Sequence, residues 1–175
     1  MRFGWSSFGT ALLALSLAAA CPAHAQVSAY ADFTAAKLTN LVGTKVLYGP
    51  SIGLTATLVP LSHLKIGVDL RGSFLGGSQR LDGLALGPIF TFSVKGLKPY
   101  AEILVGFARY NDGLGTSTST TTDGQLNFAG GIDKHITGHF DWRIVEYDYE
   151  QYYALGGQFN PKNFSTGVVY HLAPK

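Results

Sequence analysis

The sequence predicts an all-β fold, an eight-stranded antiparallel up-and-down transmembrane β-barrel, and three observations predict it. Apolar residues alternate with polar or small ones at a period of two along most of the chain, while the helical period is nearly absent. The alternating stretches run to about ten residues, the length a tilted strand needs to cross a bilayer. The connections between them alternate between short and longer, the layout of a barrel with tight turns on one side of a membrane and loops on the other.

Composition narrows the class further. Charged residues make up 14% of the 175, against about 25% in an average soluble domain. Hydrophobic residues at 46% and a net charge of +2 exclude a disordered chain and argue against a basic nucleic-acid binder. A single cysteine excludes a disulfide framework and a multi-cysteine metal site.

The first 25 residues stand apart. Arg2 supplies a positive start, 11–20 (ALLALSLAAA) an apolar run, and Ala23-His24-Ala25 a small-x-small cleavage site before Gln26. This is the pattern of a secretory signal peptide, and the apolar run is too short for a membrane helix. A lipoprotein reading would use Ala18-Ala19-Ala20-Cys21 and lipidate Cys21, but the usual Leu three positions before the cysteine is missing. Cleavage after Ala25 removes the only cysteine and the only methionine. The expected organisation is a leader, 1–25, and one barrel domain, 26–175.

The strands follow in order. Strand one, 27–35, sets Val27, Ala29, Ala31, Phe33 and Ala35 against Ser28, Tyr30, Asp32 and Thr34. Strand two, 47–58, sets Tyr48, Ile52, Leu54 and Leu58 against Gly49, Ser51, Gly53 and Thr55. Strand three, 64–74, is the clearest: Leu64, Ile66, Val68, Leu70 and Phe74 oppose Lys65, Gly67, Asp69, Arg71 and Ser73. Strand four, 83–94, puts Leu84, Leu86, Phe90 and Phe92 on one face. Strand five, 100–110, sets Ala101, Ile103, Val105 and Phe107 against Tyr100, Glu102, Leu104 and Ala108, with Arg109 as a charge on the apolar side. Strand six, 124–133, sets Leu126, Phe128 and Ile132 against Gln125, Asn127, Ala129 and Asp133. Strand seven, 140–150, breaks step at Ile144-Val145. A bulge there shifts the register and brings Asp141 and Arg143 onto one face with Glu146, Asp148 and Glu150. Strand eight, 164–172, sets Phe164, Val168, Tyr170 and Leu172 against Ser165, Gly167, Val169 and His171. The stretches 59–63, 95–99 and 134–139 read as short turns; 36–46, 111–123 and 151–163 read as longer loops, with 75–82 intermediate.

Alternation alone does not say which face is inside. A soluble lipocalin-type barrel keeps its apolar face inward, and a membrane barrel turns it to lipid. Here the polar face is rich in Gly, Ala, Ser and Thr, which suits the cramped lumen of eight strands, while the apolar face is bulky and aromatic. Tyr48, Tyr149, Tyr152 and Tyr153 near the outer strand ends, with Phe92, Phe140, Trp142 and Tyr170 near the inner ends, read as two aromatic girdles.

The C-terminal stretch Ser165-Thr166-Gly167-Val168-Val169-Tyr170-His171-Leu172 resembles the signal by which the barrel assembly machinery recognises outer-membrane barrels, with Ser165, Gly167, Tyr170 and Leu172 at its defining positions. Lys98-Pro99-Tyr100-Ala101-Glu102 and Val145-Glu146-Tyr147-Asp148-Tyr149 are similar to strands of the small OmpA/OmpX-type outer-membrane β-barrel family. That resemblance spans 26–172. It implies a barrel of the bacterial outer membrane, with the membrane's lipids and the assembly machinery as partners.

The candidate functional residues are the inward charges: Asp32, Lys65, Asp69, Arg71, Glu102, Asp133, Asp141, Arg143, Glu146 and Asp148. Lys65, Glu102, Asp133 and Arg143 are expected at similar depth near the periplasmic end, where two cations and two anions would neutralise one another. Buried charge has to be paired and hydrogen-bonded, so the expected role is a polar plug rather than an ion path. His135 and His139 have a helical metal-ligand spacing but fall in a turn, and zinc needs three or four ligands. The mature chain has no His-x-Ser pair of the kind found in lipid A deacylases; His135-Ile136-Thr137 is nearest. Thr116 to Thr122 form a hydroxyl-rich loop tract, and Asn163-Phe164-Ser165 matches a glycosylation sequon by chance. The expected protein is a non-catalytic, monomeric barrel without cofactor, acting through its outer loops. The alternatives are a lipid-modifying membrane enzyme, which would show a lipid-facing Ser–His–acid cluster, and a secreted ligand-binding barrel, which would show an apolar interior cavity.

Overall fold

The computed structural model describes residues 26–40, 43–77, 79–111, 120–153 and 160–172. The expected leader, the first part of the hydroxyl-rich tract and 173–175 lie outside the described residues. The chain forms β1 (Gln26–Asn40), β2 (Gly43–Pro60), β3 (Leu64–Gly76), β4 (Arg80–Phe92), β5 (Leu97–Asn111), β6 (Thr120–His135), β7 (Phe140–Tyr152) and β8 (Lys162–His171). Each strand pairs antiparallel with the next, and β8 returns to β1, closing the barrel. Closure pairs every strand on both sides through the middle of the wall, while at the loop end the longer strands run past their neighbours, as where the β1–β8 ladder stops at Lys37 opposite Lys162. Gln26 and His171 lie at one end together with the turns 61–63, 93–96 and 136–139; this is the terminal end. The opposite end, where β1 ends and β2 begins, is the loop end.

The eight strands and their order match the sequence expectation, but they are longer than the alternating stretches suggested. The ladder between β1 and β2 runs on from Ala35 and Tyr48 to Asn40 opposite Gly43, so 36–46 is mostly strand rather than loop. β3 and β4 likewise continue to Gly76 opposite Arg80, and the tract at Thr120 is already β6. The physical reason is an inversion of polarity. Near the loop end Ala36, Leu38, Leu47, Leu75 and Leu81 point inward and are buried, while Lys37, Thr39 and Arg80 point outward. The period of two persists, but apolar and polar residues exchange faces.

The connections follow local chemistry. At the β4–β5 turn, Val94 and Leu97 exchange two backbone hydrogen bonds of 2.9 Å around Lys95 and Gly96. Both central residues have positive φ, 48° and 84°, the two-residue hairpin whose twist matches the flanking strands. In β7 the ladder steps from Arg143 opposite Gly167 to Glu146 opposite Ser165, so Ile144 and Val145 face one residue of β8. This is the bulge expected at that pair, and Thr166 Oγ1 braces it by donating to the Arg143 carbonyl at 2.9 Å.

The wall sorts its side chains by face. Phe33, Ile52, Leu54, Leu84, Leu86, Ile103, Val105, Phe107, Phe128, Phe164 and Val168 are all exposed outside. Tyr48 and Tyr153 are exposed near the loop end; Phe92, Phe140, Trp142 and Tyr170 are exposed near the terminal end. Tyr152 departs from the expected girdle: it points inward at 6% exposure and packs with Ala36, Leu38, Leu47, Leu75, Leu81 and Ala108 in an apolar cap beneath the loops.

Candidate functional site

The lumen is the candidate site, because it gathers the chemistry-bearing side chains. Two arginines organise its middle. Arg71 on β3 meets Glu146 fork to fork, Nη1 donating to Oε1 at 2.8 Å and Nη2 to Oε2 at 3.0 Å. Its Nη2 also bonds Glu102. Arg71 Nε donates to the Tyr30 hydroxyl at 3.0 Å, which donates to Asp69 Oδ2 at 2.7 Å. Thr55 Oγ1 donates to the other Asp69 oxygen at 2.7 Å. Arg143 on β7 donates from Nε to Asp133 at 3.1 Å and from Nη1 to Asp32 at 2.9 Å and Glu146 at 3.2 Å. Its guanidinium lies 4.4 Å from the ring centre of Tyr30 and 4.8 Å from that of Tyr100, within reach of both π faces. The Tyr100 hydroxyl donates to Glu146 at 2.5 Å. That ring fits because β6 has Gly131 beneath it; a Cβ there would lie 2.5 Å from the hydroxyl oxygen. Glu146, 2% exposed, thus ties both arginines together. Only a guanidinium supplies enough fixed donors to hold several carboxylates away from water.

Toward the loop end a second tier is built on neutral donors. Asn163 Nδ2 donates to Glu150 Oε1 at 2.7 Å, and the Tyr152 hydroxyl to Glu150 Oε2 at 2.6 Å. Asn127 Nδ2 reaches Asp148 at 3.2 Å and Glu150 at 3.4 Å. Asn163 is therefore a buried lumen residue rather than a surface sequon. Thr34 Oγ1 bridges Ser51 and Ser165 at 2.8 and 2.9 Å.

Toward the terminal end Asp141 is the hub. Lys98 bonds its Oδ2, His135 Nδ1 lies 2.9 Å from Oδ1, and His171 Nε2 lies 2.7 Å from Oδ2. The other nitrogen of His171 is 2.6 Å from Ser28 Oγ. Ser28, His171 and Asp141 thus stand in the order of nucleophile, base and orienter. The arrangement lacks what acyl transfer needs. Ser28 and His171 are direct ladder partners, so their contact follows from register and the strands' backbone N–H groups serve the ladder rather than an oxyanion. The hollow beside them, about 60 Å³ and lined by Lys65, Lys98, Asp141 and His171 among others, has room for a water or two and not for an acyl chain. His139 does not converge with His135; it stacks on Tyr170 at 5.7 Å. Among the described residues no group of His, Cys, Asp and Glu has the arrangement of a metal site.

Asp32, Asp69, Arg71, Glu102, Asp133, Asp141, Arg143, Glu146 and Asp148 are all buried in the lumen. Lys65 is half-buried at the terminal mouth and donates to Gln26 Oε1 at 2.8 Å. The expected four-charge layer of Lys65, Glu102, Asp133 and Arg143 splits: Asp133 and Arg143 pair, while Glu102 joins Arg71. Strands tilt and stagger in a closed barrel, so counting residues from the turns misjudges height. Ser165 points inward, Gly167 lies in the ladder opposite Asp32 and Arg143, and Tyr170 and Leu172 are exposed. Sequence reasoning missed Lys98, Tyr152 and Asn163 as lumen partners, and left Glu150 out of the network although the register after the bulge puts it on the inner face.

Solved structures share this fold. Neisserial surface protein A aligns with a TM-score of 0.60 at 20% identity over 82% of this chain and 96% of its own. Ail, the attachment invasion locus protein of Yersinia pestis, aligns at 0.59 and 12% identity over 85% of this chain and 97% of its own. The N-terminal β-barrel domain of Pseudomonas aeruginosa OprF aligns at 0.55 and 16% identity over 85% of this chain and all of its own. These small outer-membrane barrels carry the fold that the OmpA/OmpX-type resemblance implies. No family model and no curated protein matches the sequence.

Proposed function

We propose that this protein is an integral barrel of the bacterial outer membrane, delivered by the leader 1–25 and acting without catalysis, as a structural or surface-contacting element presented through its loops. One observation carries the reading: the wall is inside out relative to a soluble barrel, with bulky apolar side chains outside and paired charges within. A secreted ligand-binding barrel needs the reverse, an apolar interior with space in it, and here the lumen is occupied by ion pairs beneath an apolar cap. A lipid-modifying enzyme needs its Ser–His–acid cluster on the lipid face, whereas Ser28, His171 and Asp141 face the lumen. The shared fold of Ail and Neisserial surface protein A supports the membrane reading. The closed ladder supports a monomer, since the middle of the wall offers no open edge for another chain to extend.

The mature chain has no cysteine, so single cysteines report topology cleanly. Gly76 at the loop end and Gly138 in a terminal-end turn both have open space where a Cβ would go. On intact cells an impermeant maleimide should label Gly76→Cys and spare Gly138→Cys until the outer membrane is breached. Labelling in the opposite order, or recovery of the protein in the soluble periplasmic fraction, would overturn the reading.

A further inference from the structure

We propose that the outer wall at the loop end holds phosphate-bearing lipid headgroups of the surrounding leaflet at two basic sites, Arg80 with Arg109 and Lys37 with Lys162. The inference rests on the reading that this wall faces a bilayer.

The first site is set by register. Arg80 lies opposite Asn111 in the ladder and Asp82 opposite Arg109, so the two arginines leave the wall from adjacent strands at diagonal positions. Such neighbours are about 7–8 Å apart, a distance that one phosphate with its ester oxygens can bridge. Both side chains are exposed. Asp82 accepts from Arg80 Nε at 2.8 and 3.1 Å, which orients that guanidinium through its inner nitrogen. The four residues Arg80, Asp82, Arg109 and Asn111 line a hollow of about 210 Å³. A second hollow, about 530 Å³, shares Arg80, Asp82 and Asn111 and adds Phe74 and Gly76. Immediately toward the middle of the wall stand Leu84 and Phe107, the latter 68% exposed. A headgroup held by the arginines would therefore lay its chains on an apolar surface already in place. Planar guanidiniums are the side chains best matched to phosphate oxygens.

The second site is independent. Lys37 and Lys162 are direct ladder partners of β1 and β8, and both are exposed. Like charges directly opposite each other repel, and an anion seated between them relieves that repulsion. Tyr149 is the other ladder neighbour of Lys162, and Phe164 lies next toward the middle of the wall.

The two ends of the wall differ in a way that selects a leaflet. Among the described residues at the loop end, the outward cations Lys37, Arg80, Arg109 and Lys162 meet the single outward acid Asp82. At the terminal end Phe92, Phe140, Trp142 and Tyr170 dominate, with Lys134 among them. A cation on a lipid face is costly in hydrocarbon but is stabilised at the depth of anionic headgroups.

The test uses the mature protein in phosphatidylcholine nanodiscs doped with diphosphorylated lipid A or with phosphatidylglycerol, with co-purifying lipid counted by mass spectrometry. Wild type should be enriched in the phosphorylated dopant. Each basic residue near an anionic surface is worth about fivefold, so a site stripped of both is nearly emptied; because the two sites are separate, Arg80→Gln with Arg109→Gln should lower enrichment by about half, Lys37→Gln with Lys162→Gln likewise, and all four together at least about tenfold. Lys134→Gln should change nothing. Trp142, the only tryptophan after the leader, reports insertion of every variant through its emission. Insertion with equal enrichment in wild type and all variants overturns the sites and leaves the membrane reading standing. Displacement of the lipid by millimolar inorganic phosphate would make these simple ion sites and overturn the lipid assignment. Failure of the wild type to insert would overturn both.

Discussion

Arg143 illustrates what a buried charge demands of a single residue. Three carboxylates, Asp32, Asp133 and Glu146, depend on its guanidinium, and two tyrosine rings enclose it. Replacing it with Met keeps the bulk but leaves those carboxylates facing one another in a low-dielectric interior. The expected cost is about 3–5 kcal/mol, the cost of breaking a buried pair from one side, measured by urea unfolding in lipid vesicles. Arg143→Lys retains the charge but loses the fork that reaches Asp133 and Asp32 at once, so its stability should fall between Met and wild type. A loss below about 1 kcal/mol for the Met variant, the scale of a surface pair, would show that the network is solvated. At this scale the sequence was half legible. Alternation assigned each charge a face, because a strand side chain has only two directions available. It did not reveal the pairs, because Arg71 contacts Glu102 and Glu146 across the lumen at heights set by the stagger of the barrel. Lys98 is hidden for a related reason: it borders a turn in the sequence, and its long stem carries the ammonium inward to Asp141.

Each strand, taken as an element, is a ruler with lipid along one side, and substitutions along it should report depth. Leu70 lies mid-strand on the outer face of β3; Phe74 lies on the same face four residues nearer the loop end, opposite Asp82. Leu70→Arg should cost about 2–4 kcal/mol, while Phe74→Arg, close to the headgroups and to Asp82, should cost about 0–1 kcal/mol. Equal penalties, measured by reversible unfolding in bilayers, would contradict the assignment of this face to lipid. Strand number, order, facing and even the β7 bulge could be read from the period of two. Strand ends could not. The period continues through Lys37, Leu38, Thr39 and again through Leu75, but the polarity of the two faces is exchanged there. A reading that treats apolar as outward stops at the inversion and takes the remainder for loop. That inversion also explains Tyr152, which belongs to the inward cap and bonds Glu150 instead of joining the outer girdle.

For the whole molecule the decisive feature is that the described side chains fill the lumen at successive levels along the axis. From the terminal end inward come the Asp141 hub, the two-arginine layer around Glu146, the amide and carboxylate tier of Asn127, Asp148, Glu150 and Asn163, and the cap of Leu38, Leu47, Leu75, Leu81 and Tyr152. Eight strands enclose just enough room for such side chains. A water path would have to separate Arg71 from Glu146 and Arg143 from Asp32, and then pass between the buried leucines of the cap. Protein reconstituted in planar bilayers should therefore show no steady conductance of porin size; brief small currents are compatible with charges exchanging partners. The same preparation should release no acyl chains from lipid A, because Ser28 has neither a free backbone oxyanion site nor room for a chain beside it. A stable large conductance would mean that several chains enclose a shared pore. Acyl release abolished by Ser28→Ala, with insertion unchanged by Trp142 emission, would instead make the Ser28–His171–Asp141 relay a catalytic centre and displace the structural reading of the terminal mouth.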